Sequence, residues 1–280
     1  MTATAAGTGT EAFAARPVAG CAVDAAGVLT VDMELPAGGG GAAGAVLRLR
    51  PAAGARATVV ALEPLPGAPG RLRFRLPRER VLAEGHWEVL LEDGGRRSPV
   101  AAGLRDLRAL VDRPLPAGPG PLAVRVPYAD GGGALVVRAW LREGHVEAGP
   151  LRLADGALTV WARPVGVAVT AGARVLLRRR GAGGPRHEVP VRVDASGGLR
   201  WTVELARLLE EEPPRAAYWD LFLLPSPTAA PVRISRLLDD VAERKRVFVY
   251  PHTRVAGQRV FPYYTVDNDL SIEVNAPGAG

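Results

Sequence analysis

The chain has 280 residues, 48% hydrophobic and 23% charged, with 35 Lys+Arg against 29 Asp+Glu and a net charge of +6. That composition can build a packed core and excludes wholesale disorder, and no apolar run approaches the roughly 20 residues of a membrane helix. A single cysteine, Cys21, excludes an internal disulfide framework and a multi-cysteine metal cluster.

Residues 1–17 are small and polar, without a basic start and an apolar core, so they read as a disordered leader and not a signal peptide. A cytoplasmic location is the expectation that follows. Val28 to Leu35 alternates polar with apolar side chains and predicts a strand, as do Leu47–Arg50 and Leu72–Leu76. Gly39-x-Gly41-x-x-Gly44 formally fits a dinucleotide fingerprint. The fingerprint needs a helix next, but the following segment alternates as a strand, so the glycines read as a hairpin loop. Turn signals stand at Gly38–Gly41, Pro66-Gly67, Asp93-Gly94-Gly95, Asp130–Gly133, Asp155-Gly156 and Gly181–Pro185. Further strands are expected over Val189–Val193 and Leu270–Val274. Helices are expected over Leu104–Val111, Val203–Glu212 and Arg233–Arg246. Residues 276–280 read as a disordered tail.

The chain also resembles itself. Leu29 and Leu158 are 129 apart, as are Val46 and Val175; Phe74 and Trp201 are 127 apart. His86-Trp87-Glu88 aligns with Tyr218-Trp219-Asp220 at 132, and Pro127-Tyr128 with Pro262-Tyr263 at 135. Ordered matches with a slowly drifting offset mean one copied unit. The expected fold is all-β: two tandem duplicated immunoglobulin-like β-sandwich units, 18–145 and 146–275, with short helices in the crossovers.

Chemistry is sparse. His86, His145, His187 and His252 show no zinc-ligand spacing, and no G-x-S-x-G elbow occurs. No cofactor or metal site is read. Cys21 reads as a small inert apolar residue. Glu210-Glu211-Glu212 closes a short helix and should face water. Asp267-Asn268-Asp269 suits either a turn or oxygen ligation of Ca²⁺, and turn chemistry fits better without the glycine of an EF-type loop. Trp87 and Trp219 read as core anchors, with a ligand-stacking role for Trp219 as the alternative. The second unit is richer in aromatic and polar side chains, so the candidate ligand residues are Trp219, Asp220, His252, Tyr263, Tyr264, Asp267 and Asp269. Candidates for an anionic polymer are Arg178, Arg179, Arg180 and Arg200.

Tyr218-Trp219-Asp220-Leu221-Phe222-Leu223, Pro262-Tyr263-Tyr264-Thr265 and Leu270-Ser271-Ile272-Glu273-Val274 look like segments of GC-rich actinobacterial proteins. They resemble β-sandwich accessory modules attached to glycosyltransferases and to glycerophosphate polymerases of wall-polymer assembly. The resemblance is clearest over Gly197–Val274 and implies an accessory module with no catalytic residues to carry over. The resulting expectation is a non-catalytic binding protein whose partner is a glycan, a wall-polymer intermediate or a glycosyltransferase. Nucleic acid is not the expected partner. One alternative is a transferase acting on an activated sugar or polyol-phosphate beside unit two, using Asp220, His252, Tyr264 or Asp267. The other is a basic scaffold for an anionic polymer.

Overall fold

Strand after strand alternates a buried with a more exposed side chain, as in Leu29–Glu34, Leu199–Glu204 and Ala216–Leu224. Such a strand puts one face in a core and the other in water. The computed structural model describes residues 16–34, 44–50, 58–68, 70–111, 113–116, 121–209 and 216–276. Most of the expected leader and tail, Gly38–Gly41 and Glu210-Glu211-Glu212 lie outside the described residues; Gly44 opens a strand.

The first half holds β1 (Val18–Val23), β2 (Leu29–Glu34), β3 (Gly44–Leu49), β4 (Val59–Ala61), β5 (Glu63–Leu65), β6 (Arg71–Leu76), β7 (Gly85–Asp93), β8 (Arg96–Pro99), β9 (Ala101–Asp106), β10 (Leu122–Ala129) and β11 (Leu135–Arg142). The second holds β12 (His145–Ala154), β13 (Ala157–Val165), β14 (Arg174–Arg179), β15 (Arg186–Pro190), β16 (Arg192–Val193), β17 (Leu199–Glu204), β18 (Ala216–Leu224), β19 (Val232–Ser235), β20 (Thr253–Val255), β21 (Gln258–Tyr264) and β22 (Leu270–Asn275). The molecule is all-β.

The strand orders of the halves correspond. The first half runs β5-β6-β2-β1-β9 in one sheet and β10-β11-β7-β3-β4 in the other. The second runs β16-β17-β13-β12-β19-β18-β22-β21-β20 without a break, because β19 pairs with both β12 and β18, and β14 and β15 lie beyond β18. In each half a short segment changes partners at one buried or half-buried residue. β4 pairs with β3 and β5 with β6, divided by Leu62; β15 pairs with β14 and β16 with β17, divided by Val191. The single strand expected over Val189–Val193 is therefore two strands with different partners, β14 and β17.

Pairing also corrects an offset. Leu47 stands opposite Val89, and Leu177 opposite Leu221. Because Val89 and Leu221 are 132 apart, Leu47 corresponds to Leu177, at 130 and not 129. One residue matters because it exchanges the two faces of a strand.

The expected helices shrink. Leu104–Asp106 finishes β9, and only Arg108–Leu110 makes a 3₁₀ turn. Val203 and Glu204 finish β17, followed by a 3₁₀ turn at Leu205–Leu208. Val232–Ser235 is β19, and the segment after it forms only α1 (Arg244–Val247). Cross-strand partners win these residues: Val203, for instance, pairs opposite Leu158.

Each half has its own core. Phe74, Trp87, Val31 and Leu47 meet in the first; Trp201, Trp219, Val160 and Leu177 meet in the second. Burying one such large side chain stabilises the fold by about 1.5–3 kcal/mol. Leu237, Leu238 and Ala242 of the second half join the first core. Glu147 on β12 anchors that segment, accepting from the Leu237 and Leu238 amides at 2.9 and 3.1 Å.

A candidate ligand face on the second half

Strand parity sorts the predicted residues. Trp219 is 1% exposed and Tyr264 is 0% exposed. Trp219 belongs to the second core and lies 5.2 Å from the His187 ring; Tyr264 packs edge-on against Phe248 and tilted against Tyr250. Neither reaches a ligand from there, which corrects their assignment as ligand residues. Their neighbours Tyr218, Asp220, Phe222 and Tyr263 stand on the opposite, outer face. A line across five strands runs Arg186, Arg178, Asp220, Ser271, Tyr263. The Tyr218 and Tyr263 rings meet edge to face, with centroids 6.1 Å apart. The Phe222 ring lies between two guanidinium groups, Arg178 at 4.7 Å and Arg233 at 4.8 Å. Sequence reasoning left Tyr218, Phe222, Arg186, Arg233 and Ser271 out of the site. The spacing of Tyr218, Asp220 and Phe222, two residues apart along one strand, is the signal that finds Tyr218 and Phe222; Arg186, Arg233 and Ser271 come from β15, β19 and β22 and are placed only by strand pairing.

Asp220 is the electrostatic centre of this face. Its Oδ1 accepts from Arg180 Nη2 at 2.7 Å, Arg233 Nη2 at 2.9 Å and Ser271 Oγ at 2.9 Å. Burial alone would raise its pKa, but the bonds from Arg180 and Arg233 outweigh that and hold the carboxyl at about 2. Such an anion is poorly suited to proton transfer near neutral pH. Its geometry fixes arginines instead. Arg233 is shared further, with Nε 3.1 Å from Asp269.

Asp267, Asn268 and Asp269 form a turn with a counterpart in the first half. Thr265 Oγ1 accepts from the amides of Asp267 and Asp269, as Asp130 Oδ1 accepts from Gly132 and Ala134. Asn268 and Gly133 both take positive φ, 60° and 73°. In the second half the turn's side chains tie the halves together. Asp267 accepts from Arg138, which is 3% exposed, at 2.7 Å, and its carbonyl accepts from Trp140 Nε1 at 3.2 Å. Asn268 accepts from the Arg244 amide and donates to the Val241 carbonyl, both at 2.9 Å. Asp269 accepts from Ser235 at 2.5 Å and lies 3.7 Å from Arg142. These groups are committed to protein partners. Among the described residues no group of three His, Cys, Asp or Glu is placed to hold a metal ion.

The other candidates scatter. His252 is exposed, just before β20. Arg200 is on β17, four strands away from β18, opposite Arg192. Arg178, Arg179 and Arg180 do come together, with Arg186, around a depression of about 460 Å³ beside the turn Gly181–Gly184. Cys21 is buried, and burial pushes its thiol up to about 12, an inert state. No helix among the described residues is long and apolar enough to cross a membrane.

No protein-family model matches the chain, and no curated protein does. Among solved structures it is similar to the crystal structure of S. aureus TarS, at 15% identity and TM-score 0.36, over 58% of this chain and 29% of that one. It is similar to the S. aureus TarS 217–571 fragment, at 10% identity and TM-score 0.29, over 67% and 55%. A tetra-tandem repeat in the extending region of a large adhesion protein gives 9% identity and TM-score 0.22, over 94% and 64%. The chain spans less than a third of the first of these chains and about half of the second.

Proposed function

We propose that this chain is two copies of one immunoglobulin-like sandwich unit, joined near residue 145. We read it as an accessory module that binds a glycan or wall-polymer intermediate and does no chemistry itself. The observation that carries the reading is the outer face of β21-β22-β18-β14-β15. It gathers the half-buried rings of Tyr218, Phe222 and Tyr263 beside Arg178, Arg180 and Arg233, and Arg178 and Arg180 are exposed. Aromatic rings offer flat apolar area with little conformational entropy to lose, and arginine forks add directed hydrogen bonds. The corresponding face of the first half already serves as an interface, since Arg138 and Trp140 there hold the second half. Committed carboxylates favour binding over a transferase site at Asp220 or Asp267. The resemblance of Gly197–Val274 to modules of polymer-assembling enzymes supports the ligand class, and its actinobacterial setting belongs to this proposal.

Isothermal titration with wall-polymer fragments and neutral oligosaccharides tests the reading. Tyr218→Ala and Tyr263→Ala should each weaken binding at least tenfold. Turnover of an activated sugar donor by the purified chain, abolished in Asp220→Asn, would replace the binding module with the transferase.

A further inference from the structure

Strand pairing sets Arg186 directly opposite Arg178 across β14 and β15. Like charges so placed repel. The next residue along the line is Asp220, but its Oδ1 is taken by Arg180, Arg233 and Ser271. The Arg178 guanidinium lies over Phe222 instead. Among the described residues, neither Arg178 nor Arg186 forms an ion pair. The first half supplies an internal control. Its counterpart of Arg178 is Arg48, which binds Glu88 through Nε at 3.0 Å and Nη2 at 2.6 Å. Across β4, Arg48 faces Val59 and not a second arginine. The second half thus has one more arginine and one fewer carboxylate contact at the same place in the sheet. The depression of about 460 Å³ opens there, beside both side chains and the glycine turn.

We propose that the pair Arg178 and Arg186 binds an oxyanion, phosphate or sulfate, carried by the ligand of this face. The inference rests on the reading of that face as a ligand surface. Guanidinium forks match the spacing of oxygens on such a group and bind it in bidentate fashion. An oxyanion there supplies the negative charge that Glu88 supplies to Arg48, and removes the repulsion across β14 and β15.

The full chain is titrated with inorganic pyrophosphate and inorganic sulfate, then with glycerol-phosphate oligomers and a sulfated oligosaccharide. Arg178→Gln and Arg186→Gln should each weaken pyrophosphate binding at least tenfold, while Arg200→Gln leaves it unchanged. Tighter binding of one oligomer than of its free ion identifies the source of the oxyanion. An equal loss in Arg200→Gln means general attraction to a basic protein and overturns the site, as does no binding of any oxyanion by the unaltered chain. If a neutral oligosaccharide still binds and Tyr263→Ala abolishes it, the ligand face stands and only the oxyanion pocket falls. If neither class binds, both fall.

Discussion

The outer faces of the two halves share a framework and differ in use. In the first, Arg48 and Arg50 pair with Glu88, the His86 ring nitrogen lies 2.7 Å from the Tyr128 hydroxyl, and Arg138 and Trp140 hold the turn of the second half. In the second, Tyr218 replaces His86, Asp220 replaces Glu88, and Tyr263 corresponds to Tyr128. Here the carboxylate gathers Arg180 and Arg233, and Arg178 is left facing Arg186. The difference teaches that one pattern of strands can carry an internal interface in one place and a half-exposed surface in another. A few outward residues decide which, and the inward residues leave the sandwich unchanged.

The largest expected effect tests where the halves are the same. Trp87→Ala and Trp219→Ala should each cost about 3–5 kcal/mol in urea unfolding, since both rings are buried core anchors. A cost below about 1 kcal/mol for Trp219 alone would return it to the list of surface residues. The turns should diverge. Asn268→Gly keeps the favourable φ but loses the bonds to Arg244 and Val241, so it should cost about 1–3 kcal/mol. Gly133→Asn, at the matching φ, should cost no more than a few tenths. Equal costs would mean that Asn268 does not anchor the segment Val241–Arg244.

Acid should separate the two faces. Burial, then the charges of Arg138 and Arg50, hold His86 at about 4, against 6.5 in an unfolded chain. Below pH 6.5 the unfolded state takes up a proton that the folded state resists. Stability is therefore lost as pH falls from 6.5 to about 4, on the order of 1–2 kcal/mol given partial exposure. Asp220 is held near 2 against 3.8, so its contribution is complete above 3.8 and disappears as pH falls towards 2. Melting midpoints across pH 7 to 2 should show the first loss missing in His86→Gln and the second missing in Asp220→Asn. The smallest effect is a difference of sign. Arg48→Gln breaks an ion pair and should destabilise by about 0.5 kcal/mol, while Arg186→Gln relieves repulsion and should stabilise by a few tenths. Destabilisation by both would remove the argument from like charges.

Much of this was readable in the chain. Period-two alternation located β2, β6 and β22. The candidate site was half readable. Asp220, Tyr263, Arg178 and Arg180 do share one face, but Trp219 and Tyr264, each one residue away from a surface position, are in the core. Composition cannot distinguish them, because an aromatic residue serves a core and a surface equally well. The expected helices failed for a similar reason: the local pattern at Val203 was outweighed by its partner Leu158 from a distant strand.

By itself the sequence determined the class of fold and the strand periodicity, because these depend on neighbouring residues. Only the tertiary structure decided which side of each strand meets the core, and which carboxylate each arginine reaches. Those depend on register between strands up to tens of residues apart, where a shift of one exchanges the faces. Register sets Arg178 opposite Asp220 as it sets Arg48 opposite Glu88, and it is the bonds from Arg180, Arg233 and Ser271 that take this carboxylate from Arg178.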